Sequence, residues 1–228
     1  MYLTLKDMLH QPSDSGTLKV MLVRSLVLVL ILGSEASAQT AKPRFTWETR
    51  LAKDPPLTGL ERAKIFLHND FASVGTIVRT VGPAIAGQFA NQPIDWGRTP
   101  EGFGRRIGLG FVTFTAQDAI QHSSAALLGL DPRYQRCECK GLARRTGHAF
   151  SGLFLSANAA GVRRFDPSNI VGSYGSGFIA ATLYPDRYSR TVKGAQIGHA
   201  QVGGVVISNL FQEFGPDIKR ILKRKKKP

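Results

Sequence analysis

Residues 168–185, SNIVGSYGSGFIAATLYP, and 194–212, GAQIGHAQVGGVVISNLFQ, decide the fold. Neither run contains Asp, Glu, Lys or Arg, and both are crowded with small side chains. In the first, Gly172, Ser176 and Ala180 recur every four residues, as do Ser173, Gly177 and Ala181, with Tyr174, Phe178 and Leu183 between them. Gly194 and Gly198 keep the interval in the second run, and Gly104 and Gly108 show it earlier. Small residues four apart share one side of a helix and let two backbones approach closely. Each glycine costs about 1 kcal/mol of helix propensity relative to alanine, so helices carrying several must recover stability by packing. The pattern predicts an all-α chain, a single bundle of five or six close-packed, Gly/Ala-rich helices.

Two other architectures compete. The runs are long enough to span a membrane, but Ser, Asn, Gln, Tyr and His dilute them, and mean hydropathy over the chain is −0.09. A β-barrel requires alternation with period two, whereas the spacing here is three and four.

The rest of the chain fits the helical reading. Thr58-Gly59-Leu60-Glu61 has the form of a capping box opening a helix. Phe71 to Ala90 carries one charge, Arg79, and Gly82-Pro83 is expected to kink this helix or start a new one. Residues 91–102 are loop-like. Phe103, Ile107, Phe111 and Phe114 predict a helix from Phe103 to about Leu128, stopped by Gly129. Residues 135–147 look irregular, and Gly147 to Ala160 is expected to form a further helix closed by Gly161.

Outside this core the sequence suggests an address. Met21-Leu22-Val23-Arg24, the apolar core Ser25–Gly33 and the small residues Ala36-Ser37-Ala38 form the pattern of a cleaved export signal over 21–38. Asp7 and Asp14 disturb a basic leader, so Met21 is the expected start and residues 1–20 a mis-assigned extension. A long leader with the same cleavage site is the rival, and Leu22–Gly33 is short for a retained anchor, which needs about 20 apolar residues. Residues 39–57, with Pro43, Pro55 and Pro56, read as an extended tether, 58–218 as the helical domain and 219–228 as a basic tail.

Formal net charge is +14, and it survives removal of residues 1–38. Outside the cytoplasm such a balance favours anionic lipid or an acidic envelope polymer over nucleic acid. The final segment is the strongest functional lead. Leu210, Phe211, Phe214, Ile218, Ile221 and Leu222 fall on one helical stripe, flanked by Lys219, Arg220, Lys223, Arg224, Lys225, Lys226 and Lys227. An apolar stripe beside a basic cluster is the signature of a helix resting on an anionic membrane. Apolar stripes also mark ordinary core packing.

Other candidates are less specific. Trp96, Arg105, Arg106, Asp131, Arg133, Tyr134, Arg145, Tyr184, Arg187 and Asp217 cluster at predicted helix ends, where Arg and Asp can cap and lock neighbouring helices. Cys137 and Cys139 flank one residue. That spacing rarely suits an unstrained disulfide, which leaves a labile redox pair, half a metal site, an intermolecular link or two loop thiols. His68, His122, His148 and His199 are scattered with no HExxH pair, so no metal or cofactor is indicated. Asp118, His122 and Glu213 are candidates to meet a serine in space, but no G-x-S-x-G elbow occurs. An envelope hydrolase built on His148 or His199 is the enzymatic alternative to a non-enzymatic, envelope-associated protein. An integral helical membrane protein is a third.

Several blocks carry a resemblance. They are Trp96-Gly97 with Gly102-Phe103-Gly104-Arg105-Arg106-Ile107-Gly108, Asp131-Pro132-Arg133-Tyr134 with Arg145-Thr146-Gly147-His148-Ala149, Tyr184-Pro185, and Glu213-Phe214-Gly215-Pro216-Asp217-Ile218. Together they resemble an uncharacterised family of exported proteins from Acidobacteria, over most of residues 58–222. The resemblance implies export and a single domain, and no mechanism. The chain departs from it at Cys137-Glu138-Cys139.

Overall fold

The computed structural model describes residues 49–50, 57–137 and 139–225. The expected signal at 21–38, the extension before it, most of the tether, and Lys226 and Lys227 lie outside the described residues. Among the described residues six α-helices dominate: α1 (Gly59–Phe71), α2 (Val74–Ala90), α3 (Pro100–Leu127), α4 (Leu142–Ser151), α5 (Ser168–Ala181) and α6 (Arg190–Lys225). The protein is all-α, a bundle with two minor strand pairs. Thr49–Arg50 (β1) runs parallel to Tyr134–Gln135 (β2), and Leu155–Ala157 (β3) pairs antiparallel with Arg163–Phe165 (β4).

The helix starts follow from local chemistry. Thr58 accepts from the Glu61 N–H while the Glu61 carboxylate accepts from the Thr58 N–H, completing the capping box of α1. Ser73 caps α2, Thr99 caps α3, and Pro100 occupies the first turn, where its missing N–H costs nothing. α2 continues through Pro83 and α6 through Pro216 without ending. Two sequence expectations are corrected. Residues 142–151 are helical rather than irregular, and the expected helix over 147–160 gives way to the β3–β4 hairpin. The hairpin turn is made by Asn158, whose side-chain oxygen accepts from the N–H groups of Ala160 and Val162, and by Gly161 at φ 78°.

The helices pack as a row: α2 on α3, α3 on α5, α5 on α6, and α6 on α4, with α1 against α2 and α3. The small residues set these contacts. Gly172, Ser173, Ser176, Gly177, Ala180 and Ala181 are all buried along α5. A Cβ on Gly172 would stand 2.9 Å from the Gln117 carbonyl of α3, and one on Gly198 would stand 2.6 Å from the Tyr174 ring of α5. Gly194 lies equally close under Phe178. Gly104 and Gly108, which share the spacing, have nothing within 4 Å of an added Cβ; on α3 it is Gly110 that meets the Thr80 backbone of α2, at 2.9 Å.

No helix among the described residues is long and apolar enough to cross a membrane.

Candidate functional site

The row of helices curls around a cleft of about 840 Å³. Its walls come from α1, α2, the middle of α3, the 132–136 segment, the β3–β4 hairpin and one side of α6 between Ala200 and Lys219. Three groups of residues lie in or beside it.

The first group lies toward α2 and α3. Arg79, the sole charge noted in its stretch of sequence, donates to Gln117 Oε1 at 3.0 Å and meets Asp118 Oδ1 at 3.4 Å, with its guanidinium 4.0 Å from the Phe114 ring centre. Gln117 in turn donates to Ser173 Oγ, tying α5 to this cluster. Asp70 is fully buried nearby; among the described residues neither of its carboxyl oxygens has a well-formed hydrogen bond, the Thr115 hydroxyl being the polar group that acts on it. Burial, reinforced by the Asp118 charge, pushes its pKa up to about 8. His122 is buried as well, and burial holds its imidazole below the usual histidine range.

The second group joins α4 and α6. The Glu213 carboxylate, fully buried, accepts from Arg145 Nε at 2.7 Å, from the Cys137 N–H at 2.9 Å and from the Tyr134 hydroxyl at 2.9 Å. Burial alone would raise its pKa; the bonds from Arg145, Cys137 and Tyr134 outweigh it and hold the group below the ordinary carboxylate range. Arg145 also reaches Asp217 at 2.6 Å and lies over the Phe214 ring at 4.5 Å. His148 Nδ1 is 3.0 Å from the Tyr134 oxygen. Tyr134 has one hydroxyl proton and gives it to Glu213, so His148 Nδ1–H must be the donor in that contact. Burial, then the Arg163 charge, lowers the His148 pKa and favours the neutral ring, here the tautomer with its proton on Nδ1.

The third group is the outer wall. Of the predicted stripe on α6, Phe211, Ile218, Ile221 and Leu222 are exposed, whereas Leu210 is half-buried and Phe214 half-buried beneath Arg145; Ile207, one turn before Phe211, is exposed as well. Phe211 is 68% exposed, far beyond what a core-packed last helix would show. Lys219 and Arg220 flank the stripe and are exposed, and Arg220 stands 3.9 Å from Asp217. Residues 223–225 continue the helix.

The helix-end residues divide. Arg145, Tyr134 and Asp217 meet as described. Arg106, Trp96 and Tyr184 gather at a separate place: Arg106 is buried among the carbonyls of Gln92, Pro93 and Gly97, and Trp96 packs 5.9 Å from Tyr184. Arg187 pairs with Asp95 at 3.1 Å. Asp131 and Arg133 bind each other through two bonds, at 3.0 and 2.7 Å, both side chains being buried. Arg105 makes a surface pair with Glu101 one turn away. Cys137 and Cys139, the candidate redox pair, are disulfide-bonded, with Cα atoms 5.2 Å apart. His199 bonds the Ala195 carbonyl and stands edge-on to Tyr174 at 5.3 Å. Asp118 and His122 share the cleft, whereas Glu213 belongs to the α4–α6 lock.

Asp70, Arg136, Arg163 and Asn209 carry no motif and were not singled out by the sequence. Among the described residues no group of three or more His, Cys, Asp and Glu side chains is placed to hold a metal ion. The chain matches no family model, no curated protein and no solved structure.

Proposed function

We propose that the protein is exported and non-enzymatic, and that it rests on an anionic membrane surface of the cell envelope through the end of α6. The observation that carries this reading is the exposed apolar stripe Ile207–Phe211–Ile218–Ile221/Leu222, flanked by Lys219 and Arg220 and running toward a tail of five further basic residues, Lys223 to Lys227. A helix with this makeup buries its apolar side at the headgroup boundary while its cations meet lipid phosphates. Each cation near such a surface contributes about 1 kcal/mol.

A hydrolase has less support. His148 does reach a hydroxyl, but Tyr134 is committed to Glu213, and Glu213 to Arg145 and Cys137. These groups hold α4 and the 134–137 segment onto α6.

The test is co-sedimentation with vesicles of phosphatidylglycerol and phosphatidylcholine at low and high salt. Binding should require the anionic lipid and weaken with salt, and removal of residues 219–228 should reduce it at least tenfold. Unchanged binding after that truncation overturns the reading.

A further inference from the structure

The cleft has a chemical asymmetry that surface contact does not use. Its charged lining consists of Arg79, Arg133, Arg136, Arg163 and Lys219 against the single acid Asp118. Arg79 is taken by Asp118, and Arg133 by Asp131. Arg136 and Arg163 have no carboxylate within ion-pair distance among the described residues: Arg136 donates to the Glu213 main-chain carbonyl, Arg163 to Ser151 Oγ and the Leu155 carbonyl. Both line the cleft together with Tyr134. Arg136 Nε is shielded from solvent and makes no hydrogen bond among the described residues. This N–H can therefore turn toward an incoming oxyanion without giving up a bond. The lining also includes the apolar side chains Ile65, Val78, Phe114, Val205, Ile207 and Phe211, of which Phe114 is covered by Arg79.

From this juxtaposition we propose that the cleft binds one molecule of a single-chain anionic amphiphile, its phosphate or carboxylate head between Arg136 and Arg163 and its hydrocarbon chain along Val205, Ile207 and Phe211. The volume of about 840 Å³ lies within the roughly 300–1,000 Å³ of ligand-binding clefts. Burial depresses the Arg163 guanidinium, as expected of a cation held out of water without a counter-charge. An anion supplies that charge, and charge-assisted bonds to Arg are the strong ones. The inference goes beyond surface contact and does not depend on it.

The experiment is calorimetric titration of the full chain with dodecyl phosphate below its micelle concentration, beside inorganic phosphate, dodecanol and dodecyltrimethylammonium. Dodecyl phosphate should bind one-to-one, and each of the other three at least tenfold more weakly. Arg163→Gln and Arg136→Gln should each weaken binding about tenfold or more, while Arg164→Gln, exposed on the same hairpin, should leave it unchanged. Circular dichroism and a melting curve on each variant separate lost binding from lost fold. Equal binding of the cationic analogue, equal binding of inorganic phosphate, non-saturating uptake, or folded Arg163→Gln and Arg136→Gln proteins that bind as the parent does would each overturn the proposal. Loss of vesicle binding with dodecyl phosphate binding intact would count against the membrane reading alone.

Discussion

A Cβ placed on Gly177 would stand 2.8 Å from the backbone nitrogen of Gly198, so α5 and α6 meet with no room for one further carbon. Contact against backbone cannot be relieved by turning a side chain. Gly177→Ala should therefore cost about 1–3 kcal/mol, the usual penalty of overpacking a close contact. Gly108→Ala meets open space inside α3 and should raise stability by up to about 1 kcal/mol through helix propensity alone. Urea denaturation measures both. A Gly177→Ala protein with the parent's midpoint would mean that the two helices do not touch there.

The same pair of substitutions shows what the sequence could convey. Four-residue spacing of small side chains announced a flat helix face at 172–181 and at 194–198, and those faces meet. It announced another at Gly104 and Gly108, where none meets a neighbour, because spacing reports that a face exists and not that a partner lies against it. The β3–β4 hairpin was missed since three-residue strands carry too few alternations to stand out from a helical pattern. Asn158 and Gly161 were the signal available. The cleft was not legible. Its lining runs from Ile65 to Lys219, and only the folding of the helices brings Arg163 of the hairpin, Arg136 and Gln212 into one cleft. Within it, the lone cation of the 71–90 stretch was visible, but its partner Asp118 on α3 was not assignable without coordinates.

Asp70 should leave a signature in the pH dependence of stability. Its folded pKa, raised by burial and then by Asp118 to about 8, lies above the unfolded value near about 4. Between those values the folded state holds a proton that the unfolded state has lost. Stability from this group is thus full below about pH 4 and declines as pH rises toward 8. Asp70→Asn keeps the shape and removes the proton. Its melting temperature should match the parent's at pH 4–5 and exceed it at pH 8–9, read by scanning calorimetry across that range. Parallel curves would show that Asp70 is ionised in the fold.

Glu213 predicts the opposite slope. Burial acts to raise its pKa, but Arg145, the Cys137 N–H and Tyr134 hold the folded value below the unfolded one. Its contribution is therefore present above the unfolded carboxylate range and is lost as pH falls through the folded value. Glu213→Gln removes one partner of a buried pair and should cost about 3–5 kcal/mol at neutral pH. The deficit should shrink on acidification below about pH 4. Urea midpoints at pH 7 and pH 3 test this; a constant deficit would assign the loss to packing instead of charge. Because Tyr134 would lose its carboxylate acceptor, its fluorescence should change in the same variant.

Arg106 offers the sharpest contrast between two cations. Its Nε donates to the Gln92 carbonyl at 2.7 Å, one terminal nitrogen to Gln88 Oε1 at 2.7 Å and to the Gly97 carbonyl at 2.8 Å, and the other to the Pro93 carbonyl at 3.1 Å. The side chain is buried at 4% exposure, and its shaft fits because residue 87 is glycine, where a Cβ would stand 3.2 Å from Arg106 Cδ. A planar fork satisfies these acceptors from fixed directions. Lysine keeps the charge but has one nitrogen and nothing at the Nε position. Arg106→Lys should therefore orphan one or two buried oxygens, at about 1–3 kcal/mol each. Hydrogen exchange should show the loss concentrated in residues 88–99, the segment those bonds hold to α3. A Lys variant as stable as the parent would mean that charge, and not the geometry of the fork, anchors this loop.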